Sequence, residues 1–305
     1  MSKKRKGRQH KEKVQRKPKP QPPAATTLVD ICMPVFGEWN MAKLAIDAIP
    51  AAMAPLTEDQ YRVIVLDNGT PVWNSPEGVA VQPKEMSGAV QGSLRPQDLF
   101  MRSDKNMGYP GGCNHAIARG RSPLVIVLTA DVIMLPGGLN ALVRALDDPG
   151  IGVAGSKLLF PEADMMESPH GKPGSVQHAG IIFDIGGNTK HIFMEWSRDH
   201  PKVNQRRVMA AVTGAVFVTR RTLWNQVGPF SELYGGGTYE DVDYCFSVQR
   251  AGLKVLYEPA SEGYHLVSGA RIHGANPQGF ALARNQQTFR SRWGDVLGWD
   301  GWKYW

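Results

Sequence analysis

The sequence predicts an α/β fold whose first half is a doubly wound, mostly parallel sheet. Its strand-like runs are apolar throughout instead of alternating, which is typical of parallel strands buried on both faces. These runs alternate with segments whose apolar residues recur at helical spacing. With 305 residues, 42% of them hydrophobic, the chain is long enough for one large or two ordinary globular domains.

Strands and helices alternate regularly in the first half of the chain. In order, the pattern predicts a strand at 28–36, a helix at 38–53, strands at 61–69 and 99–103, a helix at 111–120 and a strand at 123–131. The stretch 70–98, rich in Pro, Gly, Ser and Gln, is expected to be an irregular insertion. The alternation favours a sheet with helices on both faces.

The second half has shorter apolar runs separated by glycines, which predict mixed strands. These runs are "IGVAGSKLLF", "VQHAGIIFDIGG", "RVMAAVTGAVFVTRRTLW" and "LKVLYEP". A helix is expected from about Glu240 to Ala251, where Gly252 provides an end signal. A last amphipathic helix is expected within residues 277–305.

Two acids follow directly after apolar strand runs. Asp67 and Asp131 are therefore expected at the carboxyl edge of the sheet, where open α/β sheets bind their ligands. Asp131 could instead be a cap or turn residue. An oxygen ligand at Asp131 would suit a hard divalent cation that bridges a diphosphate. His265 follows another strand and could complete such a site, or it could be a structural hydrogen-bonding residue.

The segment "NMGYPGGCNHAIARG" is a glycine-rich turn that leads into a helix. Asn106, Gly108, Gly111 and Gly112 belong to this turn, and the helix N-terminus could present backbone N–H groups to a phosphate. The segment matches neither the dinucleotide fingerprint nor a P-loop, since no Gly-Lys-Ser/Thr follows. It is a phosphate site only if other parts of the chain support that interpretation.

Three carboxylates follow the glycines of "YGGGTYEDVDYC". One interpretation is a helix start, in which Thr238 is the N-cap and Asp241 lies three residues on, as in a capping box. Acids in a first turn also suit the helix dipole. The other interpretation is that Glu240 and Asp241 take part in chemistry, while Asp243 supports the fold. The two interpretations are compatible.

The positive charge of the chain is concentrated in an N-terminal arm. Of the formal net charge of +7, residues 1–20 carry +9 and the rest −2. Residues 1–26 lack apolar periodicity and are expected to be disordered, either as a solubilising arm or as a tether to nucleic acid, anionic lipid or an acidic partner.

The sequence predicts a cytoplasmic protein, with contact to a membrane surface or nucleic acid as an option for the arm. No apolar secretory segment follows the arm, and the longest apolar runs are too short for a membrane span of about 20 residues. Cys32, Cys113 and Cys245 are far apart and lie in apolar or helical contexts, so they are expected to be reduced core thiols.

Several motifs follow one another in an order that is found in a known family. They are "DICMPVFGEWN", "VIVLDNGT", "NMGYPGGCNHAI", "VIVLTADVIMLPGGL", "VQHAGIIFDIGG", "VTGAVFVTRRTLWNQVGPFSELY", "YEDVDYCFSVQRAGLKVLYEPASEGYH" and "RNQQTFRSRWG". In content and order the sequence resembles the family 2 glycosyltransferases of GT-A fold, and especially the rhamnosyltransferase-like branch. The resemblance covers nearly the whole chain after the basic arm.

This resemblance implies one GT-A domain over residues 27–305. Its Rossmann-like half, residues 27–135, would bind a UDP-, GDP- or dTDP-sugar, and its mixed-strand half, residues 136–305, would bind the acceptor and supply catalysis. The reaction would be inverting transfer of the sugar to an acceptor hydroxyl on a glycan, a protein or DNA.

The resemblance also implies roles for residues of the donor half. Pro34 and Glu38 would lie near the nucleotide, and Asp67 would bind the base. The diphosphate and ribose pocket would be lined by Asn106, Gly108 and Asn114.

The metal and the base are implied in the same way. Asp131 matches the last acid of the family's DxD-type motif and would bind Mg²⁺ or Mn²⁺, with His265 as an additional ligand. Asp241 would be the general base, and Glu240 would position or bind the acceptor. One departure is Ala130, where many members have an acid, so the metal would depend on Asp131, the diphosphate, water and His265.

Two other functions fit parts of the sequence. A non-catalytic nucleotide-sugar-binding module, tethered by the basic arm, would bind ligand without turnover, and the missing acid at Ala130 supports it. A nucleotidyltransferase on a related sheet would need a glycine loop after its first strand, which "PVFGEWNMAK" lacks.

Overall fold

The computed structural model describes residues 27–74, 80–165, 171–184, 188–266 and 281–298. The basic arm, residues 1–26, lies outside the described residues, so its proposed disorder and tethering role stay predictions. The first half contains β1 (Val29–Val35), α1 (Trp39–Met53), β2 (Tyr61–Asp67), β3 (Trp73–Asn74), β4 (Ala80–Val81), α2 (Pro83–Met86), α3 (Gly88–Ser93), β5 (Leu99–Arg102), α4 (Gly108–Ala118), β6 (Leu124–Leu128) and β7 (Val132–Met134).

The second half adds longer mixed elements. They are α5 (Gly138–Ala145), β8 (Ile151–Leu159), β9 (Val176–His178), β10 (Ile181–Phe183), β11 (Thr189–His191), β12 (Arg207–Val208), β13 (Val216–Arg220), α6 (Arg221–Val227), α7 (Glu240–Arg250), β14 (Lys254–His265) and α8 (Leu282–Trp293). Each helix and long strand predicted from the sequence is present within a few residues of its expected bounds.

One sheet runs through both halves in the order β12-β14-β8-β13-β6-β1-β2-β5. Strands β6, β1, β2 and β5 are parallel neighbours, and β8 is parallel to β14. Strand β13 is antiparallel to both β6 and β8, so it reverses direction between the two parallel groups. The predicted fold class, a mostly parallel sheet with a mixed second half, is confirmed.

Apolar side chains of the central strands pack on both faces of the sheet. In β1, Ile31 and Met33 belong to the core under α1 and α5, whereas Cys32 belongs to the core under α4, α6 and α7. This explains why these runs are apolar throughout, because strands covered on both faces have no solvent side. Cys32, Cys113 and Cys245 are buried free thiols, as predicted.

The described residues of the stretch 70–98, which are 70–74 and 80–98, are more regular than expected. It contains the short β3–β4 pair and the helices α2 and α3, and Val90 of α3 is fully buried in the core beside α1. The prediction of an irregular insertion was therefore wrong. The Pro and Gly content of this stretch argued against helices. Pro83, however, occupies the first helical position of α2, which tolerates proline.

The two predicted functional halves share this continuous sheet through the β13–β6 pairing. Their division near residue 135 stays a prediction. Within the described part of the chain, none of the helices is both long enough and apolar enough to span a membrane.

Candidate active site

A cavity of about 920 Å³ opens at the carboxyl edge of the central strands. It lies between the ends of β1 and β6, the loop 213–215 and the first turn of α7. The sequence-predicted site residues that line it are Pro34, Glu38, Asn106, Gly108, Asp131, Glu240, Asp241 and His265. Residues from distant parts of the chain therefore share one chamber that is large enough for a nucleotide-sized ligand.

Asp67 and Asn114 do not line this cavity. Asp67 is buried at the end of β2, where it forms an ion pair with Arg102 and accepts a hydrogen bond from the Thr70 N–H over 2.9 Å. The amide of Asn114 donates to the Phe230 carbonyl over 2.9 Å and accepts from the Phe230 N–H over 3.0 Å. The polar atoms of Asn114 thus hold the loop at Phe230, and its role at the diphosphate and ribose pocket stays a prediction. The role of Asp67 stays a prediction.

Two asparagine side chains form hydrogen bonds with the backbone of the glycine-rich turn. Asn106 Oδ1 accepts from the Gly108 N–H over 2.8 Å, and Gly108 has a φ of 73°, which favours glycine. Asn68 joins this turn by donating to the Gly108 carbonyl over 3.0 Å and accepting from the Met107 N–H over 3.1 Å. Asn68 was not among the predicted site residues, although it directly follows Asp67 at the same sheet edge.

Asp241 lies in the first turn of α7 with both carboxylate oxygens held by backbone N–H groups. Oδ2 accepts from Gly214 over 2.7 Å, and Oδ1 accepts from Val242 over 2.8 Å. Burial raises the pKa of Asp241, and these two N–H groups oppose that rise because they favour the charged form. The two hydrogen bonds fix the orientation of the Asp241 carboxylate, which lines the cavity.

Glu240 is buried, with only 4% of its surface exposed. Its Oε2 atom has no hydrogen-bond partner among the described residues. Burial, followed by the negative charge of Asp241, raises the pKa of Glu240 well above its usual range. Glu240 and Asp241 therefore differ in the charge state that their surroundings favour. Glu240 favours its neutral form, whereas two N–H donors support the charged form of Asp241.

The start of α7 differs from the predicted capping box. The N-cap is Tyr239, with a φ of 73° and no capping bond from its side chain, and Thr238 also has a positive φ of 75°. The Thr238 hydroxyl instead accepts from Asn285 Nδ2 over 3.0 Å. The prediction that Thr238 caps the helix was wrong because this tertiary bond replaces the local one.

Helix α8 holds the segment that leads into α7. Asn285 is fully buried, and its amide N–H₂ also lies within hydrogen-bond distance of the carbonyls of Tyr234 and Gly237, at 2.9 and 2.8 Å. Trp293 Nε1 donates to Asp243 over 2.7 Å. Asp243 thus supports the fold, as predicted. Asn285 was missed as a single residue, although "RNQQTFRSRWG" was among the recognised motifs.

Asp131 and His265 approach each other in the cavity, with 3.4 Å between Asp131 Oδ2 and His265 Nε2. The His265 Nδ1 atom is 2.6 Å from Gln177 Oε1. A carboxylate oxygen facing an imidazole nitrogen is a favourable arrangement when a cation or a proton lies between them. An oxygen and an imidazole nitrogen are also donors that Mn²⁺ accepts, so the residues present fit a divalent cation.

No group of three or more His, Cys, Asp or Glu side chains suitable for a metal ion occurs in the described ranges. The protein would therefore supply few ligands, and a bound diphosphate would have to contribute others, as is usual for Mg²⁺-type sites.

His178, fully buried, accepts from the Thr213 N–H over 3.3 Å, and burial lowers its pKa well below the usual range.

Comparison with curated proteins gives matches over most of the chain. The family described as "Glycosyl transferase family 2" matches residues 30–185, a little over half of the chain. The uncharacterized protein y4gI of Sinorhizobium fredii is 27% identical over 89% of this chain and 28% of its own length. The O-antigen biosynthesis protein RfbC of Myxococcus xanthus is 24% identical over 84% of this chain and 19% of its own length.

The N-acetylglucosaminyl-diphospho-decaprenol L-rhamnosyltransferase of Mycobacterium tuberculosis is 26% identical over 78% of this chain and 76% of its own length. The chain thus spans less than a third of y4gI and RfbC and about three quarters of the rhamnosyltransferase.

Solved structures share the fold at low sequence identity. GalNAc-T7 with UDP, GalNAc and Mn²⁺ aligns with a TM-score of 0.58 and 12% identity, over 78% of this chain and 42% of that one. The mannosyltransferase PcManGT from Pyrobaculum calidifontis with GDP-Man and Mn²⁺ aligns with a TM-score of 0.55 and 15% identity, over 93% and 70%. These alignments confirm the predicted GT-A type of fold.

Proposed function

The chain belongs to the family 2 glycosyltransferases, and from that premise we propose that it transfers a sugar from a nucleoside diphosphate to an acceptor hydroxyl with inversion at the anomeric carbon. The observation that carries this proposal is that Asp131 and Asp241 line one cavity, one at the donor edge of the sheet and one at the start of α7. Residues 27–135 would bind the donor, and residues 136–305 would bind the acceptor and supply the base.

Asp241 would be the general base of this reaction. Its carboxylate takes the proton of the acceptor hydroxyl while the hydroxyl oxygen attacks the anomeric carbon from the face opposite the diphosphate. The bond from the anomeric carbon to the diphosphate oxygen breaks, and the nucleoside diphosphate leaves with the electron pair of that bond. The two N–H groups on Asp241 favour its charged form against the effect of burial, and they orient the carboxylate before the acceptor arrives.

Donor binding would involve the glycine-rich turn at Asn106 and Gly108, together with Pro34 and Glu38 at the end of β1. Asp131 and His265 would hold Mg²⁺ or Mn²⁺, which supplies positive charge to the departing diphosphate when bound. The UDP and GDP-Man complexes of the two fold neighbours, both with Mn²⁺, support a nucleotide-sugar donor and a divalent cation here.

The acceptor belongs to one of three classes, a glycan, a protein or DNA. The rhamnosyltransferase among the relatives supports a glycan acceptor. A role of the basic arm at nucleic acid or at an anionic membrane surface is a separate proposal, which binding assays with and without residues 1–26 would test at several salt concentrations.

A donor panel tests the proposed activity. The full chain is incubated with UDP-, GDP- and dTDP-sugars, with Mn²⁺ or with EDTA, and release of nucleoside diphosphate is measured with each acceptor class. We expect turnover with one donor class and its loss in EDTA. Binding without turnover would favour the non-catalytic module, and an anomeric configuration that is retained in the product, read by NMR, would contradict inversion.

A substitution at the base tests the assigned mechanism. We expect Asp241→Asn to lower kcat at least about 100-fold, the range typical of a lost general base. The matched control is Asp295→Asn at an exposed position after α8, which should leave kcat unchanged. Full activity of Asp241→Asn would remove Asp241 from the proposed mechanism.

A further inference from the structure

Gln177 makes two hydrogen bonds to one residue, His265. It lies in β9, has 7% of its surface exposed and lines the cavity. Its Oε1 atom is 2.6 Å from the Nδ1 atom of the His265 ring, and its Nε2 atom donates to the His265 backbone carbonyl over 3.1 Å. One amide group therefore fixes both the ring and the backbone of His265.

These two contacts determine which ring nitrogen carries the proton. A carbonyl oxygen can only accept, so the N–H₂ end of the Gln177 amide has to face the His265 carbonyl, which leaves Oε1 facing the ring. An amide oxygen also only accepts, so His265 Nδ1 has to be the donor. In the neutral ring, Nε2 is then unprotonated, and it is this atom that lies 3.4 Å from Asp131 Oδ2.

We propose that Gln177 is a positioning residue that holds His265 in the Nδ1-protonated tautomer, with the Nε2 lone pair directed at the cation site beside Asp131. This inference rests on the proposed role of Asp131 and His265 in binding a divalent cation. Metal-binding histidines are generally oriented by a hydrogen bond on the nitrogen that does not face the metal. Here a glutamine amide supplies that bond.

The surroundings of Gln177 favour this role over simple packing. All three residues of β9 are buried, and a buried amide without partners would cost free energy that an apolar side chain would not. Both polar ends of the amide are used on His265. A residue needed only to fill space at this position would not require an acceptor and a donor matched to a histidine.

The test is binding of Mn²⁺, followed by the electron paramagnetic resonance signal of the free ion, in the presence of UDP or GDP. We expect the wild-type chain to bind Mn²⁺, and Gln177→Leu to weaken that binding about tenfold or more. Gln177→Glu keeps an oxygen for the Nδ1 proton but loses the donor to the His265 carbonyl, so its Mn²⁺ affinity should lie between those of Gln177→Leu and the wild type. Ser175→Ala, next to β9 and bonded to the Lys172 carbonyl, is the matched control and should bind like wild type.

The ring proton can be read from the nitrogen chemical shifts of His265 in the wild-type chain with diamagnetic Mg²⁺ and UDP or GDP present, so that a cation can lie between Nε2 and Asp131. We expect the Nδ1-protonated form, and an Nε2-protonated ring would overturn the inference even if Gln177→Leu did not fold. Unchanged Mn²⁺ binding by a folded Gln177→Leu, with binding lost in His265→Ala, would overturn this inference and leave the proposed function intact. Failure of the wild-type chain to bind Mn²⁺ with either nucleotide would overturn both the cation site and the role of Gln177.

Discussion

The Gly214 N–H donates a hydrogen bond to Asp241 Oδ2 over 2.7 Å. The carbonyl of the same residue accepts from the Tyr109 hydroxyl over 2.6 Å, so Gly214 connects the first turn of α4 with the first turn of α7. The orientation of the proposed base therefore depends on a loop residue that contributes no side chain. Tyr109 belongs to residues 27–135, the predicted donor half, so Gly214 hydrogen-bonds both to this half and to the proposed base.

Gly214→Ala is expected to lower kcat about tenfold, because misplacement of a catalytic group by even a fraction of an ångström slows the chemical step. A Cβ atom at this position would lie 3.0 Å from Asp241 Cβ and 3.4 Å from its Oδ2, so the carboxylate has to shift by a few tenths of an ångström. The KM for the donor should change little. Initial rates at varied donor and acceptor concentration measure both parameters.

Gly92→Ala is the matched control for this substitution. It lies in α3, and an added Cβ would meet nothing within 4 Å. We expect it to keep the wild-type rate and to stabilise the protein by about 0.5–1 kcal/mol, as glycine to alanine changes inside helices do. A wild-type kcat in Gly214→Ala would mean that Asp241 tolerates displacement and that the contact does not orient it.

The pH dependence of the rate should reflect the raised pKa of Asp241. The base acts only when ionised, so kcat/KM should fall as the pH drops through a pKa that lies above the ordinary range for aspartate. The Gly214 N–H opposes the rise in pKa, so Gly214→Ala, which disturbs this bond, should move the acidic limb to higher pH. A pH–rate profile of both proteins measures this, and an acidic limb at the ordinary aspartate pKa would contradict it.

The buried Glu240 side chain should make the stability of the folded protein depend on pH. Its folded-state pKa is raised by burial, so the folded protein binds this proton more tightly than the unfolded chain does. Its contribution to stability is therefore fully present below the unfolded pKa of about 4.3 and is lost as pH rises toward the folded value. Glu240→Gln, which cannot ionise, should raise Tm by about 2 °C or more at slightly alkaline pH, and the gain should disappear in acid.

Thermal unfolding of both proteins over a range of pH checks this expectation. Glu58→Gln, at an exposed position, is the control and should follow the wild-type curve. A Glu240→Gln protein that is less stable than wild type at every pH would show that the carboxyl group gains more from its surroundings than it loses by burial.

The sequence predicted the parts of the site that depend on local pattern. An acid directly after a buried apolar run lies at the carboxyl edge of a parallel sheet, so the place of Asp131 follows from a few neighbouring residues. The first turn of α7 was predictable in the same way, from acids after glycines and before a helical pattern. Strand order was less accessible, because nothing local indicates that β13 runs antiparallel between β6 and β8.

The site residues that were not predicted form hydrogen bonds with residues far away along the chain. Gly214 meets Asp241 across 27 positions of the chain, and Asn285 meets Gly237 across 48. A lone glycine or asparagine gives no indication of such a partner. The error at Thr238 has the same origin, since a local capping pattern was present, but the bond from Asn285 used the hydroxyl instead.

A substitution at Asn285 tests whether residues 234–238, the segment before α7, contribute to stability alone or also to catalysis. Its two amide protons serve carbonyl and hydroxyl oxygens of residues 234–238, directly before Glu240. Asn285→Ala removes the amide donor from these oxygens, of which the Tyr234 carbonyl keeps a bond from the Gly237 N–H, and should cost about 1–3 kcal/mol of unfolding free energy, measured in urea. We also expect kcat to fall, because Tyr239 and Thr238 hold left-handed conformations that need support.

Asn285→Asp should be worse than Asn285→Ala in both measurements, because it places a carboxylate among carbonyl oxygens at the same volume as the native side chain. Gln287→Ala, two residues on and exposed, is the control and should match wild type. If Asn285→Asp were as stable and active as wild type, the N–H₂ group of Asn285 would not be what holds residues 234–238 in place before α7. If both variants lost stability but kept the wild-type kcat, the segment before α7 would be structural only, and Asp241 would be held by Gly214 and its own helix alone.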